Sequence, residues 1–318
     1  MVRRCLALFL ALAPITCGPS DVGLTAPPSA AASVAVAPAP TPRTPVPTGT
    51  RLEDLAAQFA YDASAAIGIV ERGSALDGPL TVRDIEFTSA TGGRARAYVI
   101  TPPTSGPNPA MVFVAGSNQR REDIRAEALG VARRGVVALV LEQSQITAAR
   151  PQIWTFTAQD REEAIETVLD TRRAIDLLVG RTDVDPSRIG YYGFSYGAWL
   201  GAISAAVDKR LSLVVLRSGG PLILSEIARG SARTLTAEYS ALMATVDQMS
   251  YAPGVAGPVL VQNGSRDTTY TAEQMRAWQE RLGGAKTMKT YDAGHTLDNT
   301  ANADALAWIT ERWRLSVP

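Results

Sequence analysis

The 318-residue sequence has little of several things, and each shortage excludes a class of function. It contains one histidine and two cysteines. One imidazole leaves no set of histidines to hold a metal, and two thiols cannot form a four-cysteine zinc site or a disulfide scaffold. Neither sign of charge is in excess: 31 Lys plus Arg meet 31 Asp plus Glu, so the basic surplus of a nucleic-acid binder is missing. No apolar run reaches the roughly 18 residues that a membrane span needs. Phosphate loops, dinucleotide fingerprints and metal-ligand clusters are missing as well, so no cofactor and no metal are expected. What is there is 46% hydrophobic residues, ordinary for a globular chain long enough to bury a large core.

Both cysteines lie in the first 17 residues. Arg3 and Arg4 precede the apolar stretch from Cys5 to Ala13, the pattern of an export signal. Pro14 hinders cleavage after Ala13, and Cys17 closes the segment in a way that resembles a bacterial lipoprotein, although Pro14-Ile15-Thr16 departs from the usual lipoprotein signal. The expectation is an exported, periplasmic or cell-surface protein that loses residues 1–16 and meets a membrane only through lipid on Cys17. The alternative is that Cys17 merely stands near a cleavage site. Residues 18–50 hold eight prolines and two charges, Asp21 and Arg43, which predicts that residues 17–50 form an extended tether rather than a folded unit.

Residues 51–318 read as one domain without internal repeats. A helix is predicted from Arg51 to Val70, then a hairpin of Leu80–Phe87 and Arg94–Ile100 around Ala90-Thr91-Gly92-Gly93. Beyond it, short apolar runs alternate with helical periodicity. Strands are expected at Ala110–Ala115, Val136–Leu141, Arg188–Phe194, Leu211–Leu216, Val259–Asn263 and Thr287–Tyr291. Helices are expected at Glu122–Arg134, Gln159–Val179, Tyr196–Val207, Ala272–Leu282 and Ala301–Arg314. Such alternation implies an α/β fold with a mostly parallel central sheet and helices on both faces. Residues 219–257 have room for one or two short helices over a pocket, too little for a large cap.

Functional groups in such sheets collect where strands end and helices begin. Gly193-Phe194-Ser195-Tyr196-Gly197 lies at one of these junctions, where a serine on a sharp turn projects its hydroxyl at a helix N-terminus. A serine hydroxyl needs a base to become a nucleophile, and His295, just past the last strand, is the only imidazole. A carboxylate should orient that imidazole. Asp267, after the strand Val259–Asn263, is the preferred candidate; Asp292, Asp298 and Glu142 compete, and capping the next helix is the ordinary role for Asp267.

Residues 51–318 resemble a serine α/β-hydrolase of the dienelactone-hydrolase-like esterase and acyl hydrolase branch. The resemblance rests on Val184-Asp185-Pro186-Ser187-Arg188-Ile189-Gly190 leading into the Gly193–Gly197 motif. Val259-Leu260-Val261-Gln262-Asn263-Gly264 before Asp267 and Asp292-Ala293-Gly294-His295 add to it. The namesake enzymes use Cys where this chain has Ser195. The resemblance implies ester hydrolysis through an acyl-enzyme, with Ser195, Asp267 and His295 as a triad and a small-molecule ester as substrate. Oxyanion donors are then expected at the backbone N–H groups of Tyr196 and Ser117, the latter following Ala115-Gly116 where relatives often carry His-Gly. Trp154 and Phe156 are candidates for an acyl pocket, with plain core packing as their alternative. Two other functions stay open: a peptidase or amidase similar to the prolyl-oligopeptidase branch, and a non-catalytic binding module on the same fold.

Overall fold

The computed structural model describes residues 51–144 and 154–315. The expected signal, tether and Cys17 lie outside the described residues. A nine-stranded sheet runs through them in the order β1-β2-β3-β5-β4-β6-β7-β8-β9. The chain enters it through α1 (Leu52–Ala56), then β1 (Val70–Asp77), β2 (Leu80–Thr88) and β3 (Arg94–Thr101), joined antiparallel. Next come β4 (Asn108–Val114), α2 (Arg125–Ala132), β5 (Val137–Leu141), α3 (Ala158–Val179), β6 (Val184–Phe194), α4 (Tyr196–Val207) and β7 (Leu211–Arg217). Three short helices follow: α5 (Leu224–Gly230), α6 (Ala237–Ala244) and α7 (Gln248–Tyr251). The chain closes with β8 (Val259–Gly264), α8 (Ala272–Arg281), β9 (Lys286–Tyr291) and α9 (Asn299–Trp313). From β5 through β9 every neighbouring pair is parallel, and β3 joins β5 antiparallel.

Alternation along each strand builds two cores. In β4, Ala110, Val112 and Val114 face a layer containing Ala174, Ile175 and Leu178 of α3, Ala198 and Ala202 of α4, and Trp278 of α8. Met111 and Phe113 face the opposite layer, with Ala128 and Val131 of α2 and Trp308, Ile309 and Trp313 of α9. Every residue of β4, β5 and β8 is buried, as expected when helices cover both faces. Each fully buried Val, Leu or Ile contributes roughly 1.5–3 kcal/mol, so the covered strands fix the edge at which β6 meets α4.

One expected element is replaced. Instead of a helix over 51–70, α1 and a 3-10 turn (Ala57–Phe59) end early, and β1 forms an unexpected edge strand. Asp62 accepts hydrogen bonds from the Ser64 N–H and hydroxyl, at 2.9 and 2.6 Å, a local turn that competes with helix propagation. Gly68 then takes a positive φ of 55°, which turns the chain into β1. Between β7 and β8 the structure has three short helices rather than one or two, and no large cap.

Candidate active site

The site grows from the junction of β6 and α4. Ser195 stands there at φ 52° and ψ −109°, a left-handed conformation that a serine adopts only when its surroundings hold it. Its N–H donates to the Arg217 carbonyl of β7 at 2.8 Å, and its carbonyl accepts from the N–H groups of Ala198 and Trp199 in the first turn of α4. Glycines on either side let strand and helix approach. A Cβ on Gly193 would collide with the Gly197 carbonyl, and one on Gly197 with the Val114 carbonyl of β4. The turn therefore projects the Ser195 hydroxyl beyond the carboxyl edge of the sheet.

His295 and Asp267 reach that hydroxyl from loops after β9 and β8. The two loops are tied by backbone bonds from Ser265 N–H to the Tyr291 carbonyl and from Arg266 N–H to the Ala293 carbonyl, at 2.8 and 2.9 Å. His295 Nε2 lies 2.8 Å from Ser195 Oγ, and Nδ1 lies 2.8 Å from Asp267 Oδ2. The Asp267 side chain is fully buried, and its other oxygen accepts from the Thr269 and Tyr270 N–H groups at 2.7 and 3.3 Å. Burial pushes the Asp267 carboxyl up, but the hydrogen bond and positive charge of His295 and these N–H groups outweigh it and hold the carboxyl below its ordinary range. An ionised Asp267 fixes the Nδ1–H tautomer, which leaves Nε2 to accept the serine proton.

Phe194 and Tyr270 flank the imidazole, with ring centres 5.5 and 6.0 Å away. The competing acids are engaged elsewhere. Asp292 pairs with Arg266 at 2.7 Å on the surface, Asp298 caps α9, and Glu142 faces Arg121 at 3.3 Å.

A cavity of about 110 Å³ opens beside Ser195. It is lined by Ser117, Trp154, Tyr196 and Trp199, by Leu222, Ile223, Ile227 and Gln248 from the segment between β7 and β8, and by Thr269 and Tyr270 beside Asp267. Trp154 stacks on Trp199 with ring centres 5.9 Å apart. Ser117 and Tyr196, the candidates for oxyanion donors, thus border the same space as the serine. Phe156 does not line the cavity. Its N–H is drawn 2.8 Å from Asp160 and its ring lies against Tyr239, 5.5 Å between centres, so it belongs to the packing of α3 against α6.

Three residues escaped sequence reasoning. Gln143 is buried and donates from Nε2 to the carbonyls of Ala115 and Gly116 at 2.6 and 3.1 Å, which holds the loop carrying Ser117. Ser218 donates its hydroxyl to the His295 carbonyl at 2.6 Å. Gln248 joins the cavity wall from α7. None of the three has a spacing signal, because each acts across long separations in the chain.

Comparison with known proteins bears on the family and the fold. Residues 95–312 match the dienelactone hydrolase family, more than half of the chain. The chain belongs to the dienelactone hydrolase family. That family lies within the α/β-hydrolase superfamily. Among curated relatives, a polyketide transferase of Stachybotrys chlorohalonatus is 29% identical over 139 residues, covering 43% of this chain and 44% of that protein. A polyketide transferase of Penicillium crustosum is 31% identical over 157 residues, covering 46% and 42%. The matched stretch therefore spans less than half the length of these relatives. Among solved structures, acetyl xylan esterase 1 from Thermoanaerobacterium sp. JW/SL YS485 superposes with a TM-score of 0.68 at 20% identity, over 86% of this chain and 96% of that one. The acetyl xylan esterase from Paenibacillus sp. R4 gives 0.64 at 18% identity, over 82% and 92%. At that identity the likeness is one of fold.

Proposed function

We propose that this family member is a serine hydrolase that cleaves carboxylic esters of short acids through an acyl-enzyme. The observation that carries the reading is the hydrogen-bonded line from Ser195 Oγ through His295 to Asp267, 2.8 Å at each step, at the wall of a small cavity. Ser195 Oγ attacks the ester carbonyl carbon while His295 Nε2 takes its proton. The oxyanion that forms is stabilised by the N–H groups of Tyr196 and Ser117, aided by the N-terminal end of α4. As the carbon–oxygen bond to the alcohol breaks, the imidazolium returns its proton to the leaving oxygen. Water then enters beside His295, loses a proton to Nε2 and attacks the acyl carbon, and the collapse of the second intermediate frees the acid and Ser195. Asp267 stays ionised throughout and stabilises the imidazolium.

A fluorophosphonate probe tests this directly. It should label Ser195, and p-nitrophenyl acetate and butyrate should yield free carboxylic acid. His295→Ala should lower kcat by about 10⁴-fold or more while leaving the thermal midpoint nearly unchanged. A folded protein that neither labels nor cleaves these esters would refute the reading. The first fifty residues add the proposal that the enzyme works outside the cytoplasm, tethered through lipid on Cys17. A mature N-terminus without lipid on Cys17, measured by mass spectrometry, would overturn that part.

A further inference from the structure

The carboxyl end of β7 touches the backbone of both the proposed nucleophile and the proposed base. The Arg217 carbonyl accepts from the Ser195 N–H at 2.8 Å, and the Ser218 hydroxyl donates to the His295 carbonyl at 2.6 Å. Ser218 is itself fixed to β8, since its N–H donates to the Gln262 carbonyl at 2.7 Å. The peptide unit joining Arg217 to Ser218 therefore bonds to Ser195 through its carbonyl and to β8 through its N–H. The side chain that follows it reaches the loop after β9.

That loop has few other ties near the imidazole. Arg266 holds it at the Ala293 carbonyl, and Asp298 caps α9 at its far end. Between them, the backbone of residues 294–297 makes one hydrogen bond among the described residues, the one from Ser218. Burial of Ala293 and Leu297 against Ala301 anchors the ends of this stretch, not the His295 peptide. Asp267 fixes the ring at Nδ1, yet a ring that drifts with its own backbone would move away from Ser195.

Serine is also a costly residue at this position. Ser218 is fully buried with φ at 50°, in the left-handed region that favours glycine. Glycine occupies the next two positions, where a Cβ would strike the rings of Trp278 and Tyr270. Ser218 instead carries a side chain through a strained turn, and the group that side chain delivers is the hydroxyl on His295.

We propose that Ser218 is a positioning residue for His295: its hydroxyl holds the His295 backbone at a fixed distance from Ser195, using the end of β7 as the common support. The inference rests on the serine-esterase reading above and assigns a further residue to that site. Two variants remove the hydroxyl. Ser218→Ala keeps the strained turn, whereas Ser218→Gly relieves it, so the second stays folded even where the first does not. On p-nitrophenyl acetate each should lower kcat by about 10–100-fold with KM changed by less than about twofold, because the imidazole is displaced while the cavity is intact. In the His295→Ala background, Ser218→Ala should change the residual rate by less than about twofold, since a residue that acts only through the imidazole has nothing left to place. Wild-type kcat in either folded variant overturns the inference, as does a rise in KM alone. A loss in the His295→Ala background as large as that in the wild type shows that Ser218 acts elsewhere, and overturns it too. Failure of both variants to fold would make Ser218 a folding residue and likewise overturn it. In all these cases the esterase reading stands. No cleavage by the wild type, with no fluorophosphonate labelling, removes the esterase reading itself.

Discussion

Gln143 bears on the proposed site through the backbone, without lining the cavity. Its amide nitrogen holds the Ala115 and Gly116 carbonyls, and that grip sets where the Ser117 N–H points. Losing a whole oxyanion donor costs about 10²–10³ in kcat, and loosening one should cost less. Gln143→Ala should lower kcat by about 10–100-fold with KM little changed, and steady-state kinetics on p-nitrophenyl acetate would show it. A rise in KM alone would mean that the residue shapes the pocket instead. At this scale the sequence was informative where chemistry restricts the choice. A chain with one histidine and one Gly-x-Ser-x-Gly leaves few ways to assemble a serine nucleophile, and Asp267 followed from its place after a strand. Gln143, Ser218 and Gln248 were hidden because an amide or hydroxyl is common and their roles depend on contacts over tens of residues. Phe156 illustrates the reverse: an aromatic beside a pocket residue in sequence turned away, since its backbone is drawn to Asp160.

Strands covered on both faces were the most legible elements. β4, β5, β7 and β8 read as apolar runs because both their faces are buried, and the helices between them show the expected periodicity. β1 was missed because its residues are largely exposed and carry no alternation that separates strand from loop. Capping of α8, the ordinary role open to Asp267, falls instead to Thr271. Thr271 begins α8 by accepting from the Gln274 N–H at 3.1 Å, while Gln274 accepts from the Thr271 N–H at 2.8 Å. This reciprocal cap anchors the helix that buries Trp278 against the sheet, close behind the Asp267 loop. Thr271→Ala should cost about 1 kcal/mol and lower the thermal midpoint by about 2–4 °C, as calorimetry would record. Fluorophosphonate labelling at 25 °C should survive, because Asp267 is held by its own loop. Loss of labelling without unfolding would show that α8 controls the acid.

For the whole molecule, one buried carboxyl outside the triad bears on how stability responds to pH. Asp170 on α3 is fully buried and accepts from the Ser89 hydroxyl at 2.5 Å, joining α3 to the β2–β3 turn. Burial raises its carboxyl to about 7, and Ser89 offsets only part of that rise. The folded protein thus keeps a proton that the unfolded chain releases near pH 4. Its contribution is therefore most favourable below about pH 4, falls as the pH rises toward 7, and is level above that. Urea midpoints of wild type and Asp170→Asn from pH 5 to 8 provide the check. The wild type should lose ground to the variant by roughly one to a few kcal/mol across this range. Parallel curves would mean that Asp170 is ionised in the fold. Net charge, by contrast, is read directly from the composition: 31 basic residues meet 31 acidic ones.

The placement of the single histidine between two aromatic rings has a spectroscopic consequence. A proton magnetic resonance spectrum of this protein contains one pair of imidazole carbon-bound signals, and ring currents from Phe194 and Tyr270 displace them from the position of a free imidazole. Those two lines belong to His295 without any assignment work. Tautomer exchange, ligand entry and the proposed acylation of Ser195 can therefore be followed at the proposed base itself, in unlabelled protein.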